Sequence, residues 1–136
     1  MKYPAISVWQ PWASLLVSGD KTYENRTWKL SPELIGKKIL IHASKKKDKE
    51  EWETAADMYH VITNGKAALA PLEEDCFKFG GIIGYVIFDK VVTESESIWF
   101  AGNYGFHVKE FKELDFFPVR GHQKIFYVDL PKEYKL

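Results

Sequence analysis

Apolar and β-branched residues alternate with polar ones from Ala5 to Val8, which predicts a short strand. Pro11 suits a first helical position and Gly19 a helix stop. Between them Trp12, Leu15 and Leu16 share one face at i, i+3, i+4, so a two-turn helix is expected. Lys21 to Trp28 alternates again. If extended, it sets Thr22, Glu24 and Arg26 on one face and Tyr23, Asn25 and Thr27 on the other. Pro32 and Gly36 mark a loop, and Lys38 to Ala43 reads as a buried strand. Trp52, Ala55, Ala56, Tyr59 and Thr63 recur at helical spacing until Asn64-Gly65, giving the longest helix. Its acidic approach complements the helix dipole. Residues 66–79 lack a period and read as a loop, with a helical turn after Pro71. Gly80-Gly81 opens a strand from Ile82 to Val92, and Glu94 to Ala101 is read as a helical turn. Gly102-Asn103 is a turn, Gly105 to Leu114 alternates weakly, and Lys124 to Leu130 forms the last strand before Pro131.

Five or six strands, two or three helices and no regular βα alternation point to an α+β fold around a small curled sheet or barrel. A doubly wound parallel sheet is not expected. The 136 residues suffice for one domain, taken as 1–136. The first residues lack the apolar core of a signal peptide, and the run Ile82 to Phe88 is too short to span a bilayer. The expectation is therefore a cytoplasmic, membrane-free protein, taken as a monomer.

Charge changes the picture by exclusion. Nineteen basic and 19 acidic residues cancel, so bulk attraction to polyanions is not available and any basic site must be local. Aromatic content of 15%, with 5 Trp, exceeds what so small a core needs, and flat rings suit flat ligands such as nucleobases. The lone Cys76 excludes an internal disulfide and a cysteine zinc site. Histidines at 42, 60, 107 and 122 have no ligand spacing, so neither a metal nor a cofactor is expected. Only two of the 19 basic residues are arginine, Arg26 and Arg120. Arginine's planar fork grips carboxylates and phosphates in a way lysine cannot, which singles both out; compositional bias or a structural ion pair is the plainer alternative.

Residues 9–28 concentrate the candidate chemistry. Trp9 offers a stacking face, and Lys21 and Arg26 offer grips for phosphate. Gln10 and Glu24 offer groups for a base edge. Gln10 is also a poor helix cap, which leaves the first helical N–H groups open to another partner. Trp12 reads as core, and a Glu24–Arg26 ion pair is the bland reading of that strand. His42, Ser44 and Lys45 close a buried strand, where sites often form, although a satisfied core histidine is the commoner case. Tyr104 stands among glycines and aromatics as a second stacking candidate, and Arg120 lies in a turn before the last strand.

The runs Ser7-Val8-Trp9-Gln10-Pro11-Trp12-Ala13-Ser14-Leu15-Leu16, Gly19-Asp20-Lys21-Thr22-Tyr23-Glu24-Asn25-Arg26 and Ile39-Leu40-Ile41-His42-Ala43 resemble the ASCH domain family of the PUA-like superfamily. Gly81-Ile82-Ile83-Gly84, Trp99-Phe100 and Pro118-Val119-Arg120-Gly121 follow in the family's order, so the resemblance covers nearly the whole chain. It implies a PUA-like curled β-barrel of five to six strands with flanking helices and a cleft for RNA or nucleotides. A bacterial branch looks like an amidohydrolase of N4-acetylcytidine with the pattern Lys-Thr-x-Thr-x-Arg, and another member is a reported ribonuclease. Lys21 and Arg26 match that pattern, whereas Glu24 replaces its threonine. Three functions stay open: a module binding RNA, a nucleotide or a modified nucleoside; a small nucleoside-directed hydrolase using Lys21 and Glu24; and a protein-interaction barrel.

Overall fold

A computed structural model describes residues 1–136. Six strands form one mixed sheet: β1 (Lys2–Val8), β2 (Tyr23–Arg26), β3 (Lys38–Ala43), β4 (Gly81–Val92), β5 (Tyr104–Pro118) and β6 (Ile125–Asp129). Their order is β2-β5-β4-β3-β1-β6. Only the β1–β3 pair is parallel; the four other pairs are antiparallel. Two helices, α1 (Trp12–Val17) and α2 (Lys49–Ile62), and a 3₁₀ turn (Pro32–Leu34) complete the α+β fold.

β3 explains itself from its sequence. Ile39, Ile41 and Ala43 face the main core with Ile6 and Val8, while Leu40 faces a second cluster with Ala5, Ile82 and Phe126. A strand buried on both faces reads as an unbroken apolar run rather than an alternation. α1 is wedged beside the sheet: Ala13, Leu16 and Val17 enter the main core, and Leu15 turns toward Ala55 of α2.

The sheet curls without closing into a hydrogen-bonded barrel. Register shifts along β4 and β5 at Ile82/Gly84, Ile87/Phe88 and Phe88/Lys90 bend the long ribbon. The bend brings edge strand β2 back to β1, four places away, where Arg26 Nη2 donates to Ser7 O at 2.8 Å.

Several boundaries differ from the sequence reading. Pro11 is the residue before α1, not its first turn, and follows a cis Gln10–Pro11 bond. α2 starts at Lys49 because Asp48 accepts from Glu51 N at 3.1 Å, a cap that periodicity alone does not reveal. Only Tyr23–Arg26 of the expected 21–28 strand pairs with β5. Residues 94–101 form no helix, only a turn in which Phe100 N donates to Ser97 O. β5 runs longer than its weak alternation suggested, because it follows β4 outward to where Lys109 to Glu113 are exposed on both faces. No helix is long and apolar enough to cross a membrane.

Candidate functional site

β2 delivers two charged side chains to the same face of the curl, as two-residue alternation requires. Glu24 Oε2 accepts from Arg26 Nε at 2.8 Å and contacts Nη2 at 2.7 Å. Lys21, just before the strand, folds under and donates from Nζ to Glu24 Oε1 at 3.1 Å. Lys21 and Glu24 are 5% and 4% exposed, so both are withdrawn from water. Burial pushes the Glu24 carboxyl up, but the charges of Lys21 and Arg26 and the hydrogen bonds from both outweigh it. The group lies below its ordinary 4.5 and stays ionised. The triad thus holds two cations against one anion.

Aromatic rings wall the space above this triad. Trp12 and Trp99 meet edge to face at 6.4 Å, and Lys21 Nζ lies 5.2 Å from the Trp12 ring centroid. Trp12 Nε1 donates to Glu51 Oε2 at 2.9 Å, tying the rim of α2 to α1. Asn25 fastens the opposite lip by donating to Trp99 O and accepting from Ala101 N. The open cleft so walled has a volume of about 700 Å³, within the usual range for small-molecule pockets. Trp12 lines it with one part of its ring system while packing against the core, as its spacing with Leu15 and Leu16 led one to expect.

A second compartment of about 1110 Å³ adjoins the first, with Ser7, Trp9, Arg26 and Trp28 lining both. Its far side carries Ser44, Lys45, Phe79, Arg120, His122 and Lys124. His42 is 3% exposed and sits at its base. The ring Nδ1 pairs with Ser7 Oγ at 3.0 Å and Nε2 with Val119 O at 2.7 Å. Ser7 therefore joins two networks: its carbonyl accepts from Arg26, and its hydroxyl donates to His42 Nδ1, whose other ring nitrogen donates to Val119 O. The Arg120 loop is seated on this histidine. A Cβ at Gly121 would come within 2.5 Å of His42 Cε1, so only glycine allows the close approach.

The structure gathers Trp9, Lys21, Glu24 and Arg26 at the first compartment, and His42, Ser44, Lys45 and Arg120 with Trp9 and Arg26 at the second. Two candidates fall outside this arrangement. Gln10 is fully buried, and its amide is spent on Ser14 N and Lys78 O, so it caps α1 and cannot read a base edge. That also corrects the expectation of an uncapped helix start. Tyr104 pairs with Arg26 across the strands but packs against the core and lines neither compartment. His42 lines the second compartment with both ring nitrogens already engaged, so it acts on the wall and not on a ligand.

Sequence reasoning missed Glu51, Met58, Phe79 and Lys124. The spacing Glu51, Ala55, Met58 places the first of these on the inward face of α2, a signal masked by its place in a charged run. Trp9 has a further neighbour: Lys46 Nζ lies 4.1 Å from its ring centroid and covers one face. No group of three or more His, Cys, Asp or Glu side chains is placed to hold a metal.

The family model described as the ASCH domain matches residues 6–115. A crystal structure of ASCH from Zymomonas mobilis is similar at 17% identity and TM-score 0.56, covering 96% of this chain and 89% of that one. A serine-to-alanine variant of that protein is similar at 16% identity and TM-score 0.55, covering 93% of this chain and 88% of that one. At such identities the likeness carries the fold. No curated protein matches the chain in sequence.

Proposed function

This chain belongs to the ASCH domain family, and from that premise we propose that it binds RNA or a nucleotide by taking one nucleobase into the aromatic compartment. The observation that carries the reading is the Lys21–Glu24–Arg26 triad on the floor of that compartment. One buried and one half-buried cation sharing a single carboxylate leave an excess positive charge and spare N–H donors. A base carbonyl or a phosphate oxygen offers what that floor lacks. Trp12, Trp99 and the free face of Trp9 supply apolar surface for the ring. Arg26, at the junction of the compartments, is placed for the phosphate of the same nucleotide.

Calorimetric titration with the four ribonucleoside 5′-monophosphates and with N4-acetylcytidine tests this reading. At least one is expected to bind, and Lys21→Met is expected to weaken it about tenfold, in line with loss of one charged hydrogen bond. Absence of binding by all five at millimolar concentration, or affinity indifferent to Lys21, overturns it.

The hydrolase reading rests on the direct contact of Lys21 with Glu24, but the same geometry weakens it. Both Glu24 oxygens already accept from cations and the carboxyl is held below its ordinary range, so it is a poor general base. Conversion of N4-acetylcytidine by the wild type but not by Lys21→Ala, read by chromatography, reverses that order of preference.

A further inference from the structure

We infer that the second compartment is the seat of an adjoining nucleotide, so that the occupant of the cleft is a single-stranded oligonucleotide and not a lone nucleoside or nucleotide. The inference rests on the nucleobase reading of the first compartment and adds a site to it.

Charge divides unevenly along the groove. The first compartment is lined by Lys21 and Arg26 against Glu24 and Glu51, two of each sign. The second is lined by Arg26, Lys45, Arg120 and Lys124 with no carboxylate. In a chain of zero net charge this is a local concentration of one sign, and it takes in both of the protein's arginines. Lys45, Arg120 and Lys124 are exposed and make no salt bridge, so no protein anion satisfies them. An arrangement of this kind recognises phosphodiesters.

Size argues for a whole nucleotide there. The compartment, at about 1110 Å³, is the larger of the two, and Trp28, Phe79 and Phe116 give it aromatic surface that a bare phosphate would not need. The cationic loop is also held in place before any ligand arrives. Val119 O takes the His42 ring N–H, Gly121 packs on the same ring, and Lys124 follows with a φ of 55°. A pre-positioned loop loses less freedom on binding. Because the first compartment must receive an unstacked base, the strand crossing both is single.

The test compares two ligands on the intact protein: the ribonucleoside 5′-monophosphate that binds best, and the single-stranded homotetranucleotide of that base. Titrations span 50 to 300 mM salt. The tetranucleotide is expected to bind about tenfold more tightly, with a steeper salt dependence. In the doubly substituted Arg120→Gln, Lys124→Asn protein that advantage falls to about one, and the salt slope drops by about 1.4, near 0.7 per lost phosphate contact. Asparagine tolerates the positive φ at 124, and thermal unfolding confirms that the variant is folded. An advantage of about one in the wild type, or one undiminished in the variant, overturns the inference while leaving mononucleotide binding intact. Failure of both ligands to bind the wild type instead removes the nucleobase reading and this inference with it.

Discussion

Glu24→Gln is the sharpest perturbation of the buried triad, because it removes the only anion between two cations. Lys21 is only 5% exposed, whereas Arg26 keeps 22% of its side chain accessible and can turn into the cleft. Stripping a buried ion of its partner costs about 3–5 kcal/mol. The partial release of Arg26 places the expected loss near the lower end, roughly 3 kcal/mol, or roughly 10 °C in Tm for a domain of this size. Lys21→Met is expected to cost less, about 1–2 kcal/mol, because Glu24 keeps both contacts to Arg26, at 2.8 and 2.7 Å. The two-to-one stoichiometry thus predicts an order, with the anion mattering more than the buried cation. Urea unfolding at pH 7, followed by tryptophan fluorescence, measures both variants against the wild type. A Lys21→Met protein as unstable as Glu24→Gln, or a Glu24→Gln loss below about 1 kcal/mol, would refute the charge argument. Acid titration gives an independent arm. The folded carboxyl sits below 4.5, so its contribution is present above that pH and is lost as pH falls through the lower folded value. The wild type should therefore lose stability more steeply than Glu24→Gln in that range.

Burial is the main force lowering the His42 pKa below 6.5; donation to Val119 O opposes it and nearby His122 adds to it. The unfolded chain then takes up a proton first, so stability is full above pH 6.5 and declines below it until the folded value is reached. His42→Gln should flatten that decline, and equal slopes in the two proteins would assign it to other groups. Trp9→Ala is expected to weaken nucleotide binding by about 1–3 kcal/mol, the range for loss of one base–aromatic stack; calorimetry showing unchanged affinity would remove Trp9 as a platform. Gly121→Ala drives a methyl into the His42 ring and should destabilise by about 1–3 kcal/mol while loosening the Arg120 loop. A melting temperature within a degree of the wild type would show that the loop yields freely.

Local pattern carried the strands and helices far because each is decided by neighbours in sequence. The run from Ile39 to Ile41 had to be a central strand, and the spacing of Ala55 and Tyr59 had to be a helix. The two-residue period placed Glu24 and Arg26 on one face, and the motifs around Trp9, Lys21 and His42 pointed to the family. What each polar group does was not legible, because hydrogen-bond partners lie far away in the chain. Gln10 is spent on Lys78, 68 residues on, and His42 on Val119, 77 residues on, so both leave the list of ligand-reading groups. Bulges in β4 and β5 curl the sheet until β2 meets β1, and that closure alone makes one groove of Lys21, Arg26 and Ser7. Composition marked Arg26 and Arg120 as unusual, but their shared cavity depends on β2 and the distant loop between β5 and β6 being folded together. Alternation and propensity act over a few residues, whereas a cleft is set by how far a whole sheet bends.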